Sequence, residues 1–389
     1  MQVYADNAAT TKISAAALNA MMPVFETYYG NPSSLHSVGQ EAKELLEDAR
    51  ARLAKCIGCE AREIYFTSGG SEADNQAILS AAKNGARKGK KHIISTAFEH
   101  HAVLHVLEKL EKEGFEVTYL DVKTNHNITA LDVQNAIRPD TCLVTVMYAN
   151  NEIGSVLPIG EIGAVCKAAG VLFHTDAVQA VGHLAIDVKK ENIDMLSLSG
   201  HKFHGPKGVG ALYCRRGIAL SNVIDGGAQE RGKRAGTENL PAICGMVAAL
   251  EESLAKLEEN SAKVTALRDK LIKGLSQIPH CALNGDPINR LPGNVSFCFE
   301  GIEGESLLLL LDMKGVQASS GSLDPSHVLL AIGRVHDVAH GSLRLSLSEY
   351  NTDEEMNHIL TVVPEVVSYL RSISPVWRDL QNGKRQYIL

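Results

Sequence analysis

Several features of membrane, nucleic-acid-binding and secreted proteins are missing from the 389-residue chain. The longest leucine run, residues 307–311, is far too short to span a bilayer. Lys and Arg number 38 against 45 Asp and Glu, a net charge of −7, and basic runs are no longer than residues 88–91. This balance leaves no electrostatic footprint for nucleic acid or an anionic membrane. We therefore expect small molecules or other proteins as partners.

The chain also lacks a dense cysteine framework, and we expect no targeting signal at its start. Eight cysteines are spread through the sequence, many of them inside apolar runs, whereas small secreted scaffolds concentrate theirs. The first residues, MQVYAD, have neither a basic flank nor an apolar segment. We expect reduced thiols and a cytoplasmic location.

Internal repeats and Pro/Ser-rich linkers are absent too, and short apolar runs alternate with amphipathic stretches, the pattern of βαβ units. Helices are predicted at 72–83, 102–112 and 159–168, and a long helical connector with a turn inside it at 239–278. A second block follows, with strands predicted at 293–299 and 342–348 and helices at 304–311 and 352–370. Strands of the first block are predicted at 63–67, 92–95, 117–121, 142–148, 171–175, 195–199 and 210–214. The pattern predicts a large α/β domain with a mainly parallel seven-stranded sheet, residues 13–255. Residues 1–12 and 256–389 are expected to form a smaller α+β domain.

A glycine turn joins the first predicted strand to its helix. The segment TSGGSE, residues 67–72, runs from the strand through Gly69 and Gly70 into a helix that begins near Ser71. Free backbone amides and the helix dipole at such a turn form an anion site, which suits a phosphate. A plain structural turn is the alternative, and the glycine spacing matches neither a P-loop nor a dinucleotide fingerprint.

Two further strand ends carry reactive side chains. Lys202 follows a predicted strand in a Gly/Pro-punctuated loop beside Ser199 and His201, which suits an amine that forms a Schiff base. Asp176 closes another strand, where side chains of α/β sheets point toward the ligand crevice. A surface lysine and a helix cap are the alternatives. A phosphate cradle, a strand-end Asp and a loop Lys together match the needs of pyridoxal phosphate.

Ordered motifs extend this interpretation along most of the chain. They are DNAATT (6–11), GNPSS (30–34), TSGGSE (67–72), EH (99–100), NNEIG (150–154), TDAVQ (175–179), SGHK (199–202), RAGT (234–237) and SLR (342–344). From residue 3 to about 376 the chain resembles the cysteine desulfurases of the NifS/IscS type, class V aminotransferase-like enzymes of pyridoxal-phosphate fold type I. The resemblance implies a sulfurtransferase that converts L-cysteine to L-alanine. It also implies transfer of the sulfur to an iron–sulfur scaffold or a thiolation acceptor.

The resemblance assigns a role to each site residue. Lys202 would hold the cofactor through its amine, and His100 would stack on the ring and move protons. Asp176 would keep the pyridine nitrogen protonated, and Gln179 would hydrogen-bond the phenolic oxygen. The phosphate would lie on Gly70, Ser71, Ser199 and His201, with Thr237 reaching it from the second subunit of a homodimer. Arg344, assisted by Asn151, would bind the substrate carboxylate.

One residue that the resemblance requires is missing. In these desulfurases a mobile loop carries a nucleophilic cysteine, between a Ser-Ser-Gly-Ser-Ala-Cys segment and a Gly-Ser-Leu-Glu/Asp-Pro-Ser-His segment. Here the chain reads ASSGSLDPSH at 318–327, about six residues shorter between Ser320 and Leu323 than a functional loop of this kind. Either the molecule has a mobile, unordered loop that is missing from these 389 residues, which we favour, or the molecule lacks the loop, as its consecutive numbering suggests.

No other cysteine or histidine replaces the missing residue in sequence. Cys56 and Cys59 form a CxxC at the end of an amphipathic helix, where packing is favoured over redox or metal binding. Cys281 lies near a loop and the sequence does not place it. The remaining cysteines are predicted to be core residues: Cys142, Cys166, Cys214, Cys244 and Cys298. Structural roles are expected for His327, His336 and His340, and no metal site is predicted.

The missing loop keeps two further functions open. A related lyase of the same fold, acting on selenocysteine or cysteine sulfinate, would need no persulfide cysteine. A catalytically silent homologue would serve only as a dimerising partner in sulfur transfer. Retention of Lys202, His100, Asp176 and Arg344 favours an enzyme over a binding protein.

Overall fold

The computed structural model describes residues 1–123, 126–320 and 325–389. Its strands are β1 Val3–Tyr4, β2 Ile64–Thr67, β3 His92–Thr96, β4 Glu116–Leu120, β5 Thr141–Thr145, β6 Leu172–Asp176, β7 Met195–Ser199, β8 Gly210–Cys214, β9 Cys281–Leu283, β10 Asn294–Phe299, β11 Val316–Gln317 and β12 Ser342–Ser346. In the described residues β2 to β8 form a seven-stranded sheet in the order β2-β8-β7-β6-β5-β3-β4. Its pairs are parallel except those of β8, which runs antiparallel to β2 and β7. The predicted α/β fold is confirmed.

Helices cover both faces of this sheet and extend beyond it. They are α1 Ala15–Glu26, α2 Ser37–Ile57, α3 Gly70–Ala86, α4 His101–Lys112, α5 Ala130–Ala136, α6 Ile159–Ala169, α7 Gln229–Gly232, α8 Leu240–Ala255, α9 Leu257–Leu275, α10 Gly304–Met313, α11 His327–Ala331, α12 His336–Ala339, α13 Asp353–Ile373 and α14 Pro375–Gln381. The three helices predicted between the first strands correspond to α3, α4 and α6. The predicted connector is broken at Lys256 into α8 and α9, which confirms the turn expected inside it.

Burial explains why the strands could be found from sequence. Strands β3, β5, β7 and β8 are buried along their whole length, as expected when helices cover both faces of a sheet, so they appear as continuous apolar or β-branched runs. Strands β7 and β8 have the predicted bounds. Because β6 and β7 are parallel neighbours, their last residues, Asp176 and Ser199, lie at the same edge of the sheet.

A second core lies outside the large sheet. Strands β12, β10 and β9 form an antiparallel sheet, and β1 pairs in parallel with β11. Apolar residues of β1, α9, β10, β12 and α13 pack together there. The first strand of the chain thus belongs with elements near its other end. We propose that 1–12 with 256–389 and 13–255 are the two domains.

The continuity of the sequence shows whether a loop is missing between Ser320 and Leu323. Sequence and structure cover 389 consecutive residues, and only Gly321 and Ser322 join Ser320 to Leu323. The expectation that an unordered loop is passed over is therefore wrong, because the chain itself lacks it. Residues 321–324, where the shortening falls, lie outside the described residues.

Among the described residues, no helix taken singly is long and apolar enough to cross a bilayer. The pair α13 and α14, bent by 82°, passes by length and composition alone.

A buried ion pair anchors the segment that leads to Thr237. Arg50 on α2 donates to both carboxylate oxygens of Glu230 at 2.7 Å, and both side chains are almost fully buried. Glu230 also accepts the backbone N–H of Phe66 at 2.8 Å, and the Arg50 guanidinium lies 4.7 Å from the Phe66 ring centre. Glu230 therefore fixes its segment against β2.

Replacing Glu230 by Gln removes the buried carboxylate partner of Arg50 and leaves only the exposed Glu47, 3.3 Å away. Such a loss costs about 3–5 kcal/mol of unfolding free energy, measured by urea denaturation. Glu251→Gln is the matched control, because Glu251 pairs with Arg52 at a partly exposed position and should cost at most about 1 kcal/mol. Equal losses in the two variants would contradict the assigned role of the buried pair.

Candidate active site

The predicted site residues line one cavity of about 260 Å³ at the edge of the sheet where β6 and β7 end. The structure brings together Gly70, Ser71, His100, Asn151, Asp176, Gln179, Ser199, His201, Lys202 and Arg344. Thr237 is not among the lining residues and is exposed. Its predicted role in a second subunit stays a prediction.

The Lys202 amine lies at the centre of these contacts. Its Nζ donates to the backbone carbonyls of Ala8 at 2.7 Å and Ala9 at 2.8 Å. Burial, and then the positive charge of Arg344, lower the pKa of Lys202 from 10.5 to about 8. About a tenth of this amine is therefore uncharged at pH 7, against well under a thousandth at the ordinary pKa of 10.5, which makes it a better nucleophile.

Asp176 is held at the end of β6, deep in the protein. Its Oδ1 accepts the backbone N–H of Val178 at 3.0 Å. Burial raises the pKa of Asp176, and the nearby His100 and Lys202 offset part of this rise. A buried carboxylate in this position needs a cation, which a protonated ring nitrogen would supply.

The first turn of α3 forms the opposite end of the cavity. A Cβ built on Gly70 would lie 2.4 Å from Cγ2 of Val178, so only glycine fits at the start of this helix. His201 lies beside it, 3.1 Å from the Thr10 hydroxyl, and burial lowers the pKa of His201 to about 4, so that the imidazole is neutral. Backbone amides, serine hydroxyls and a neutral imidazole fit a phosphate group. The residues present therefore fit pyridoxal phosphate.

His100 stands at the start of α4, at the exposed side of the cavity. Its Nδ1 accepts the backbone N–H of Ala102 at 3.1 Å and so caps the helix. An accepting Nδ1 leaves the proton of the neutral ring on Nε2. The cap thus fixes which nitrogen donates a proton.

Arg344 comes from the other core and meets the cavity through β12. Its guanidinium donates to Asp6 at 2.9 Å and to the Asn151 carbonyl at 3.2 Å. The side chain is almost fully buried. A fixed, buried guanidinium suits the binding of a carboxylate.

Sequence reasoning gave no role to Asp74 and Glu99, which are fully buried near Asp176. Burial and the charge of Asp176 raise the pKa of Asp74. Burial also raises the pKa of Glu99 to about 8, although its Oε1 accepts from the Thr96 hydroxyl at 2.6 Å and from the Met147 amide at 3.0 Å. Asp74 lies inside the helix-forming stretch after the glycine turn. A carboxylate on the buried face of that helix was the signal from which Asp74 could have been predicted as a site residue.

Three cysteines and His327 lie outside the described lining of the cavity. Burial raises the pKa of Cys56 to about 11 and of Cys59 to about 12. Cys281, which the sequence left unplaced, lies in β9. His327 Nε2 lies 2.8 Å from the Glu99 carbonyl. Across the described ranges no group of three or more His, Cys, Asp or Glu side chains could hold a metal ion.

Comparison with known proteins gives the site its family. The family model "Aminotransferase class-V" matches residues 3–359. A protein named cysteine desulfurase IscS from Clostridium botulinum is 51% identical over 394 aligned positions, covering 99% of each chain. The chain belongs to the cysteine desulfurases of the class-V aminotransferase family.

Further members of the family are similar over nearly the whole chain. A cysteine desulfurase IscS from Methanosarcina thermophila is 52% identical and covers 96% of this chain and 94% of its own. The solved structure of a NifS-like protein has a TM-score of 0.90 at 37% identity and covers 95% of this chain and all of its own. The alignment of 394 positions to the first relative is longer than the 389 residues present here, so at least 394 − 389 = 5 positions of that relative have no counterpart. Pyridoxal phosphate is the cofactor of this family.

The lowered pKa of Lys202 gives a testable pH dependence. Because only the neutral amine attacks an aldehyde, capture of added pyridoxal phosphate by the cofactor-free protein should rise with pH, with a midpoint near 8. Borohydride trapping followed by peptide mass spectrometry measures the labelled fraction at Lys202. Arg344→Gln should move the midpoint upward, since Arg344 helps to lower this pKa. Lys207→Ala, at an exposed lysine in the same loop, serves as the control; a midpoint above 10 in the parent would show that burial does not tune the amine.

A second interaction ties the lysine loop to the segment that follows β12. His204, two residues after Lys202, has a left-handed backbone with φ of 65°. Its Nδ1 lies 2.9 Å from the Lys12 carbonyl and its Nε2 lies 3.2 Å from the Glu349 carboxylate. Glu349 raises the pKa of His204, and His204 lowers that of Glu349; the other titratable neighbours are Glu252, His183 and Tyr350.

This ion pair should stabilise the fold in a defined pH window. The raised pKa of His204 contributes stability below its ordinary value of 6.5, and the lowered pKa of Glu349 contributes above 4.5. Glu349→Gln should therefore lower Tm most between about pH 4.5 and 6.5, and progressively less as the pH rises through the raised pKa of His204. Differential scanning calorimetry against Glu354→Gln, an exposed glutamate, tests this. An effect of Glu349→Gln that does not vary with pH would exclude the ion pair.

Proposed function

We propose that this cysteine desulfurase uses L-cysteine as substrate, releases L-alanine, and delivers the sulfur to an acceptor for iron–sulfur cluster assembly or thiolation. The observation that carries the proposal is the lowered pKa of Lys202 in a cavity shared with Asp176 and Arg344. An activated amine, a partner for a ring nitrogen and a carboxylate-binding guanidinium are the groups that an amino-acid enzyme of this family needs. Relatives of the chain named cysteine desulfurase support the substrate.

Each group would have a distinct task once pyridoxal phosphate is bound. The cofactor supplies an electron sink for the substrate carbon. Asp176 would hold the ring nitrogen, Gln179 the ring oxygen, and the α3 turn with Ser199 and His201 the phosphate. Arg344 would orient the substrate by its carboxylate, and Asn151 would support Arg344 through its carbonyl.

Proton movement would be shared between Lys202 and His100. The amine of Lys202, whose pKa is lowered to about 8 in this cavity, would take up or return a proton at the substrate carbon near neutral pH. His100 carries its proton on Nε2 and would exchange a proton with the substrate sulfur from the exposed side of the cavity. The two groups therefore act on different substrate atoms.

The proposed assembly is a homodimer in the cytoplasm, with no role for nucleic acid or membrane. Apolar side chains are exposed on α1 and the segment after it: Leu18, Met22, Phe25, Tyr29 and Leu35. Leu35 is 94% exposed, which is unfavourable in water and favours cover by another chain. The exposed Thr237 would then reach the phosphate of the second subunit. An iron–sulfur scaffold or another sulfur-acceptor protein is the expected further partner.

A second candidate function follows from the missing loop cysteine. A lyase acting on cysteine sulfinate or selenocysteine releases sulfite or selenium directly and needs no enzyme thiol. The same cofactor site would serve it. Comparison of kcat/KM for L-cysteine in the presence of a thiol with the values for these two substrates decides between the candidates.

Substitution of Arg344 should affect substrate binding, whereas substitution of Lys202 should affect the reaction itself. Arg344→Ala removes charge-assisted hydrogen bonds to the substrate carboxylate and should raise the KM for L-cysteine about ten- to hundredfold. Lys202→Ala should abolish alanine formation at any substrate concentration. Alanine is measured by amino-acid analysis. Arg385→Ala, at an exposed ion pair with Asp337, should leave both constants unchanged, and alanine formation by Lys202→Ala at the parent rate would refute the proposed function.

A further inference from the structure

The fate of the sulfur is constrained by electron balance. Conversion of L-cysteine to L-alanine replaces a C–S bond by a C–H bond without an external reductant. The electron pair of the C–S bond therefore stays with carbon, and the sulfur must leave to a nucleophile that donates a pair of its own. A thiolate is the side-chain nucleophile that does this with retention of a persulfide.

None of the chain's cysteines is placed to be that nucleophile. The cavity lining contains no cysteine among the described residues, and the undescribed residues 124–125 and 321–324 are Thr, Asn, Gly, Ser, Leu and Asp. Met147 lies in the lining, but a thioether has no proton to lose and forms no persulfide. The site therefore has no thiol of its own.

The protonation of the eight cysteines points the same way. Burial raises the pKa of every one of them: to about 11 for Cys56, Cys142, Cys244 and Cys298, to about 12 for Cys59, Cys166 and Cys214, and by a smaller amount for Cys281. The thiolate is the reactive form. At neutral pH these side chains are protonated, structural thiols.

The fold tolerates the shortened segment on both sides without loss of the cofactor site. Before it, Ser319 and Arg344 exchange two backbone hydrogen bonds, of 2.6 and 3.2 Å. After it, Ser326 caps α11 by accepting the backbone N–H of Val328 at 3.1 Å. Arg344 is therefore positioned by contacts that do not require a longer loop.

We propose that the sulfur of L-cysteine is captured in this site by a thiolate that does not belong to the chain, so that the enzyme forms an external persulfide and never one of its own. The inference rests on the proposed function. The balanced reaction is L-cysteine plus RSH giving L-alanine plus RSSH. One C–S bond breaks, one S–S bond forms, the carbon gains a proton and an electron pair, and the two sulfurs together lose that pair.

The entering thiolate has a defined approach. His100 marks the exposed side of the cavity, at the positive end of the twelve-residue helix α4. The guanidinium of Arg344 adds positive charge inside. An anionic sulfur is therefore favoured at the mouth over a neutral thiol.

Single-turnover chemistry tests the proposal. The cofactor-loaded enzyme is mixed, in excess, with L-cysteine in thiol-free buffer, so that no substrate remains free to act as a thiol. Without an internal nucleophile we expect less than a tenth of a turnover of alanine and no gain of 32 Da in the intact protein mass. Added 2-mercaptoethanol should raise the rate of alanine formation in proportion to its concentration. Each alanine should be matched by one alkylated small-molecule persulfide.

A second probe identifies the class of acceptor. A short synthetic peptide with one cysteine is compared with 2-mercaptoethanol at equal thiolate concentration. A faster reaction with either probe supports the proposal, the peptide indicating a protein acceptor and the small thiol a metabolite. The variant C56S/C59S/C281S, which removes the three half-buried thiols, should behave like the parent.

Two contrary results are distinguishable. One alanine per site without added thiol, together with 32 Da on a peptide of the enzyme, would overturn the inference and leave the proposed function intact. Failure to form alanine with any thiol, from protein shown to hold the cofactor by absorbance, would refute the proposed function, and the inference with it.

Discussion

The contact of the Lys202 amine with the carbonyls of Ala8 and Ala9 is the interaction on which the site depends. The same N-terminal segment supplies Asp6, which holds the Arg344 guanidinium, and Asn7, whose Nδ2 donates to the Ser346 carbonyl at 2.9 Å. One short stretch of chain therefore sets the separation between the reactive amine and the carboxylate-binding group. Because β1 pairs with β11 in the smaller core, this stretch also joins the two cores across the cavity.

Burial shifts the pKa values of Lys202 and Asp176 in opposite directions, although the physical cause is the same. Removal from water penalises charge, so it lowers the pKa of Lys202 and raises that of Asp176. The amine becomes nucleophilic, and the carboxylate gains most from a cationic partner. A cofactor with an aldehyde at one position and a basic ring nitrogen at another satisfies both demands at once. Asp74 and Glu99, buried behind it with raised pKa values, add little negative charge that would compete for that cation.

Local chemistry made much of this arrangement predictable. Strands β7 and β8 are continuous buried runs, and Asp176 and Lys202 follow from the rule that the carboxyl ends of parallel strands share an edge. The lysine's contacts were not predictable, because Ala8 O lies 194 positions away in sequence and carbonyls carry no side-chain signal. The sequence pattern does not predict α1, and it indicates α2 only as an amphipathic helix that ends near Cys56 and Cys59, although α2 ends in a left-handed glycine cap at Gly58. The left-handed backbone of His204 likewise has no local signature, since three tertiary contacts hold it.

The shortened segment separates two tasks that the family resemblance joins, cleavage of the carbon–sulfur bond and capture of the sulfur. Cleavage depends on the cofactor site, whose described parts are held by β6, β7, α3 and the N-terminal segment. Capture depends on a thiolate, and burial keeps every thiol of this chain protonated. A bimolecular capture step is slower than an internal one at low acceptor concentration, because the acceptor must pay its own loss of translational freedom. The rate of this enzyme should therefore be set by the supply of acceptor thiolate, which makes the acceptor, and no residue of the protein, the point of control.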